Sequence, residues 1–115
     1  MNSSGPKERY MRFPLSVRLG NLASSLAHLS TTAEMKSQHD YVPRMLRECK
    51  CFIEWTGPET EVEIAEQLVG IQVQLAIWQL NWDVMRSDPK ETEELVTSAR
   101  VSADQVLQWS GLLDE

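Results

Sequence analysis

An unbroken apolar repeat between residues 64 and 85 constrains the fold of this chain more than any other feature. Large apolar side chains recur there at alternating steps of four and three residues: Ile64, Leu68, Ile71, Leu75, Trp78, Trp82 and Met85. That spacing places them on one face of an α-helix. A second apolar row widens the face: Val62, Ala65, Val69, Val73, Ala76 and Leu80. The repeat predicts a helix from Pro58 to about Ser87, and its broad apolar surface indicates a central helix with several neighbours.

Three further segments carry the same spacing. Their apolar stripes are Leu15, Leu19, Leu22, Leu26 and Leu29; then Val42, Leu46, Cys49 and Ile53; then Leu95, Ala99, Val106 and Leu113. Pro14, Pro43 and Pro89 fall in the first turns of these helices, where proline is tolerated. Asp88, directly before Pro89, is placed to cap the last helix. Gly57 suits the left-handed position that often ends a helix, and Gly111 ends the last helix. The sequence therefore predicts an all-α fold, an antiparallel four-helix bundle with a long central third helix.

The domain organisation follows from the same pattern. Residues 1–12 are polar and basic, and we expect a flexible lead-in that docks through Tyr10 or Phe13. Residues 13–115 then form a single helical-bundle domain. The third helix is longer than its neighbours, so one of its ends is expected to overhang. Either the Tyr10 region or a second copy of the chain would cover it.

Charge and hydropathy exclude some partners. The net charge is −6, with +4 in residues 1–50 and −10 in residues 51–115. A net negative chain is unsuited to nucleic acid, which binds by phosphate neutralisation. The apolar stretch from Leu68 to Trp82 is interrupted by glutamines, so no membrane span is expected. Without an apolar signal segment after Met1, the expected location is the cytoplasm.

Residues able to perform chemistry are scattered. Cys49 and Cys51 point about 200° apart on a helix, so they cannot bridge each other or share a metal. His28 and His39 have no carboxylate or cysteine at a metal-ligand spacing. The acidic cluster of residues 59–66 suits a helix N-terminus. The sequence therefore predicts no catalytic residues, no metal site, no cofactor and no enzyme activity.

The tryptophans suggest where a partner or ligand binds. Core packing is the default for all of them, yet tryptophan is also enriched in interfaces. The candidate interface or pocket residues are Trp78, Trp82, Met85, Trp55 and Trp109. The preferred hypothesis is a non-catalytic interaction module that binds a protein partner or itself, as a homodimer. The alternatives are a small-molecule-binding bundle with a pocket near Trp78 and Trp82, and a metal–carboxylate enzyme.

Two segments carry a resemblance to known proteins: residues 12–26, which read Arg-Phe-Pro-Leu-Ser-Val-Arg-Leu-Gly-Asn-Leu-Ala-Ser-Ser-Leu, and Phe52-Ile53-Glu54-Trp55. Together they resemble small uncharacterised all-helical proteins of cyanobacteria. The resemblance covers about the first half of the chain and contains no catalytic motif. It implies a helical fold and a cyanobacterial source, and no activity or functional residue.

Overall fold

The structure, a computed structural model, describes residues 5–114, and it contains no β-strand in that range. Its α-helices are α1 (Pro6–Met11), α2 (Leu15–Glu34), α3 (Val42–Thr56), α4 (Val62–Met85) and α5 (Pro89–Ser110). Short 3₁₀ helices cover Lys36–Tyr41, Gly57–Glu59 and Leu112–Asp114. The predicted all-α class is confirmed.

Helix α2 lies at the centre of the fold. It packs along α5 over most of its length and contacts α3 on another side. Small residues let α2 and α5 approach closely: the Ser30 hydroxyl donates to the Val96 carbonyl at 2.7 Å, and Leu112 reaches the backbone at Gly20. Ser30, in the second half of α2, meets Val96 near the start of α5. Gly20, near the start of α2, meets Leu112 just beyond the end of α5, so the two helices are antiparallel.

Helix α4 is the longest helix and lies at the edge of the fold. It packs mainly against α3 and makes much less contact with α5. The prediction of a central third helix was therefore wrong. Most of the second apolar row that suggested it is exposed, namely Val62, Val69, Val73 and Leu80.

The turn between α3 and α4 also differs from the prediction. Gly57 has φ −50° and ψ −45°, a right-handed conformation, so its expected left-handed position was wrong. Pro58 lies in a 3₁₀ turn, closed by the Thr60 amide and hydroxyl, which both donate to the Gly57 carbonyl. Helix α4 consequently begins at Val62.

The ends of α5 agree with the prediction. The Asp88 carboxylate accepts hydrogen bonds from the amides of Lys90 and Glu91, at 3.0 and 3.4 Å, and so caps the helix N-terminus. Gly111 ends the helix with φ +76°, the left-handed conformation that glycine adopts most easily.

Part of the expected lead-in belongs to the folded body. Residues 6–11 form α1, which is anchored by the buried Tyr10. The Tyr10 hydroxyl donates to the Arg18 carbonyl at 2.8 Å and lies 2.7 Å from the Thr56 hydroxyl. Docking through Tyr10 is confirmed, whereas Phe13 is 47% exposed. Residues 1–4 of the expected lead-in lie outside the described residues.

Beside Tyr10, the buried side chain of Arg18 links α2 to Phe13 and to Glu59. Arg18 is 5% exposed, and its Nη2 lies 2.7 Å from Oε1 of Glu59. Its Nε donates to the Phe13 carbonyl at 2.9 Å. A buried guanidinium requires such partners, because removing its charge from water is costly. Hydrogen bonding to Arg18 lowers the pKa of Glu59 below its usual value.

Candidate interaction surface

The most unusual surface of the molecule is the side of α4 that faces away from α3. We call it the outer face. It consists of six exposed aliphatic residues: Val62, Val69, Val73, Ile77, Leu80 and Val84. Their exposed fractions range from 47% for Ile77 to 84% for Leu80. Steps of seven, four, four, three and four residues keep them within one narrow stripe of the helix.

Helix α4 therefore carries two opposite apolar faces. The inner face contains Leu68, Leu75 and Trp82, which are buried in the core. The outer face begins on the other side of the same helix and contacts no other described element closely enough to be buried. Residues 67–82 contain no Asp, Glu, Lys or Arg, so no charge interrupts the middle of this face. Contiguous exposed apolar surface of this kind is typical of interaction sites.

The residues predicted from the sequence as an interface or pocket do not lie on the outer face. Trp78, Trp82 and Met85 lie in the hydrophobic core, on the inner face of α4. Trp55 and Trp109 are half-buried. Trp82 is fixed by its indole NH, which donates to the His39 carbonyl at 3.2 Å, and by an edge-on contact with the His39 ring. The predicted set therefore does not come together at one surface.

A shallow groove does reach Trp78. It has a volume of about 430 Å³ and runs between α4 and α5, lined by Gln74, Trp78, Glu93, Glu94, Thr97 and Ser98. Neither Trp82 nor Met85 lines it, and Trp78 itself is only 8% exposed. The groove thus offers a ligand little of the aromatic surface that the small-molecule hypothesis requires.

A second groove, of about 730 Å³, separates α1 from α3. Its floor contains a cluster of three aromatic rings. Tyr10 stacks on Phe52 with ring centres 4.2 Å apart, and Trp55 lies 5.7 Å from Tyr10 and 6.0 Å from Phe52. We call it the aromatic groove. Of the predicted candidate residues, Trp55 is the one that lines it.

The polar and reactive side chains are mostly structural. His39 is buried, and its Nε2 hydrogen-bonds the Ala33 carbonyl at 2.8 Å. Both cysteines are free thiols; burial, with a smaller effect of Glu48, raises the pKa of Cys49 from 9.0 to about 12. Within residues 5–114, no group of three or more His, Cys, Asp or Glu side chains is arranged to hold a metal ion.

Sequence reasoning could not have found Arg18 as a buried residue, because its ionic partner Glu59 lies 41 positions away. The outer face was visible in part: Val62, Val69, Val73 and Leu80 belong to the second apolar row of the sequence. The aromatic groove had a weaker signal, the basic and aromatic residues of positions 7–13.

Comparison with known proteins assigns this chain to no family. Protein-family models, curated proteins and solved structures all yield no match to this chain. The resemblance to cyanobacterial helical proteins therefore stays a prediction. None of the helices in the described part of the chain combines the length and hydropathy needed to cross a lipid bilayer.

Proposed function

We propose that this chain is a cytoplasmic, non-catalytic interaction module that self-associates through the outer face of α4. In this proposal the four longer helices form one antiparallel unit, and α4 presents its outer face to the α4 of a second copy. The observation that carries the proposal is the row of exposed aliphatic side chains on a helix surface without charge between residues 67 and 82.

The apolar surface is large enough to support a dimer. Complete burial of a valine, leucine or isoleucine side chain stabilises a protein by about 1.5–3 kcal/mol. The six outer-face residues expose between 47% and 84% of their surface. Covering them in both copies would contribute on the order of 10–20 kcal/mol, against about 4–15 kcal/mol for the freedom lost on association. The middle of the first range exceeds the middle of the second, so the balance favours association into a dimer.

The charges at the ends of α4 favour an antiparallel arrangement. The start of the helix carries Glu63 and Glu66, whereas its last turn carries one carboxylate, Asp83. Arg86, just beyond the helix, already pairs with Asp40 at 2.9 Å. A parallel pair would place the two acidic starts side by side, where they repel each other. An antiparallel pair places each acidic start beside the less acidic end of the other copy, which weakens the repulsion. The helix dipoles also oppose each other in that arrangement.

Two matched variants test the proposal. Val73→Lys introduces a charge at the centre of the outer face, while Val101→Lys makes the same change at an exposed valine of α5. Light scattering after size exclusion should show wild type and Val101→Lys at twice the monomer mass of 13.1 kDa at high micromolar concentration. Val73→Lys should elute as a monomer, because its ammonium group would be desolvated in the interface.

Circular dichroism of both variants controls for folding. A wild-type protein that stays at 13.1 kDa at high micromolar concentration would overturn the proposal. So would a dimer that Val73→Lys leaves intact or that Val101→Lys disrupts equally.

A further inference from the structure

The aromatic groove shares no residue with the outer face of α4. Its lining comes entirely from residues 5–55, whereas the outer face comes from residues 62–84. Phe52 and Trp55 are half-buried, so parts of their rings remain accessible from the groove. The lining is largely apolar, so an apolar side chain of a ligand would pack against the accessible ring faces.

The rim of this groove is basic. Lys7, Arg9, Arg44 and Arg47 line it, against Glu8 and Glu48. This gives the groove a net charge of +2 in a chain whose total is −6. Within residues 5–114, Arg44 and Arg47 form no ion pair.

Both carboxylates of the rim already accept hydrogen bonds from their own chain. Oε1 of Glu8 accepts from the Gly5 amide at 3.0 Å, at the start of α1. Oε2 of Glu48 accepts from the Ser25 hydroxyl of α2 at 3.5 Å. The exposed Arg44 and Arg47 are therefore the cations best placed to meet a ligand of opposite charge.

The α3 side of the aromatic groove is long enough to accommodate a short helix. Arg44, Arg47, Cys51 and Trp55 follow one another at steps of three, four and four residues, so they share one side of α3. From residue 44 to 55 this side is about 16 Å long, the length of about three helical turns.

We propose that the aromatic groove binds an acidic amphipathic helix of a partner protein. Apolar side chains of that helix would pack on Phe52 and Trp55, and its carboxylates would meet Arg44 and Arg47. Charge complementarity selects this occupant: a few carboxylates match a rim of +2. Nucleic acid fits less well, because its binding requires neutralisation of many phosphates by a chain that is acidic as a whole.

The test uses a fluorescein-labelled synthetic peptide of about three helical turns, with leucines on one face and glutamates on the other. The matched control peptide has glutamine in place of each glutamate. A single-stranded oligoribonucleotide is the third probe. Fluorescence anisotropy with the full chain should show binding of the glutamate peptide alone, weakened by added salt because the charges at the rim are exposed.

Charge-reversal variants locate the site. Arg44→Glu with Arg47→Glu should weaken peptide binding tenfold or more, because two attractive contacts become repulsive. Lys90→Glu with Arg100→Glu makes the same change of charge at exposed positions of α5 and should leave binding within about threefold of wild type, since distant exposed charges are screened. Circular dichroism verifies that both double variants fold.

Equal binding of the glutamine peptide would overturn the proposal. So would binding of the oligoribonucleotide alone, no binding of any probe, or an equal loss in the α5 control. The molar mass of the Arg44 and Arg47 variant separates this proposal from self-association, because its outer face is intact and its dimer should persist.

Discussion

The two faces of α4 predict effects of very different size on the free energy of unfolding for two truncations that lie two positions apart. Leu75 is fully buried on the inner face, and Val73 is 54% exposed on the outer face. Leu75→Ala removes buried methyl groups from the core between α4 and the rest of the chain. Val73→Ala removes methyl groups that are largely in contact with water in the single chain.

The magnitudes follow from burial. Leu75→Ala should lower the free energy of unfolding by about 2–5 kcal/mol, which combines the lost transfer energy with a cavity. For a chain of this length that corresponds to a fall in Tm of about 10–20 °C. Val73→Ala should change the free energy of unfolding of the monomer by less than about 1 kcal/mol, since a partly exposed valine loses little on truncation.

Urea unfolding followed by circular dichroism measures both values. The protein concentration should be low enough for the monomer to dominate, because dimerisation would add to the apparent stability of wild type. Equal destabilisation by the two variants would refute the assignment of Val73 to a free surface. A negligible effect of Leu75→Ala would refute the packing of the inner face.

Two further predictions concern the core. Thr56→Val should lower the free energy of unfolding by about 1 kcal/mol in urea titrations, because it removes the hydroxyl bonded to Tyr10 at similar side-chain volume; an unchanged midpoint would contradict the contact. The raised pKa of Cys49 keeps its thiol neutral in the folded state up to about pH 12, while the unfolded thiol ionises near its ordinary pKa of 9.0. The free energy of unfolding should therefore not depend on this group below pH 9.0 and should fall as the pH rises from 9.0 towards 12. In urea titrations across that pH range, the unfolding midpoint of a Cys49→Ala variant should fall less than that of wild type.

The sequence predicted the helices well because their signal is local. Apolar spacing, the Asp88 cap and Gly111 all act within a few residues of the structure they specify. The turn at Gly57 was mispredicted because more than one backbone conformation can reverse the chain there. Hydrogen bonding by Thr60 selects the 3₁₀ turn, and such side-chain competition is hard to see in a residue pattern.

The position of α4 could not be predicted from its periodicity. A helix with two apolar faces has the same sequence pattern whether the second face packs on its own chain or on another molecule. Whether α2 or α4 is central depends on which helices approach closely. The small residues of α2 that permit close approach were visible, but their partner, α5, was not specified by the sequence.

The surroundings of the candidate residues could not be predicted for a related reason. Trp78 and Trp82 lie on the inner face of α4 and were chosen for their size, whereas the exposed apolar surface of this helix consists of smaller aliphatic residues. Arg18 and His39 are polar side chains whose burial depends on partners contributed by the tertiary fold, such as Glu59 and the ring of Trp82. Such partners are distant in sequence and leave no local pattern.

Amide hydrogen exchange of the unmodified chain, measured at low and at high protein concentration, tests the self-association of α4 most directly. The account predicts slower exchange at high concentration for peptides that cover residues 69–84, with no comparable change along α5, because a second copy would suppress opening of α4. Exchange in α4 that is independent of concentration, or concentration-dependent protection confined to another helix, would contradict it.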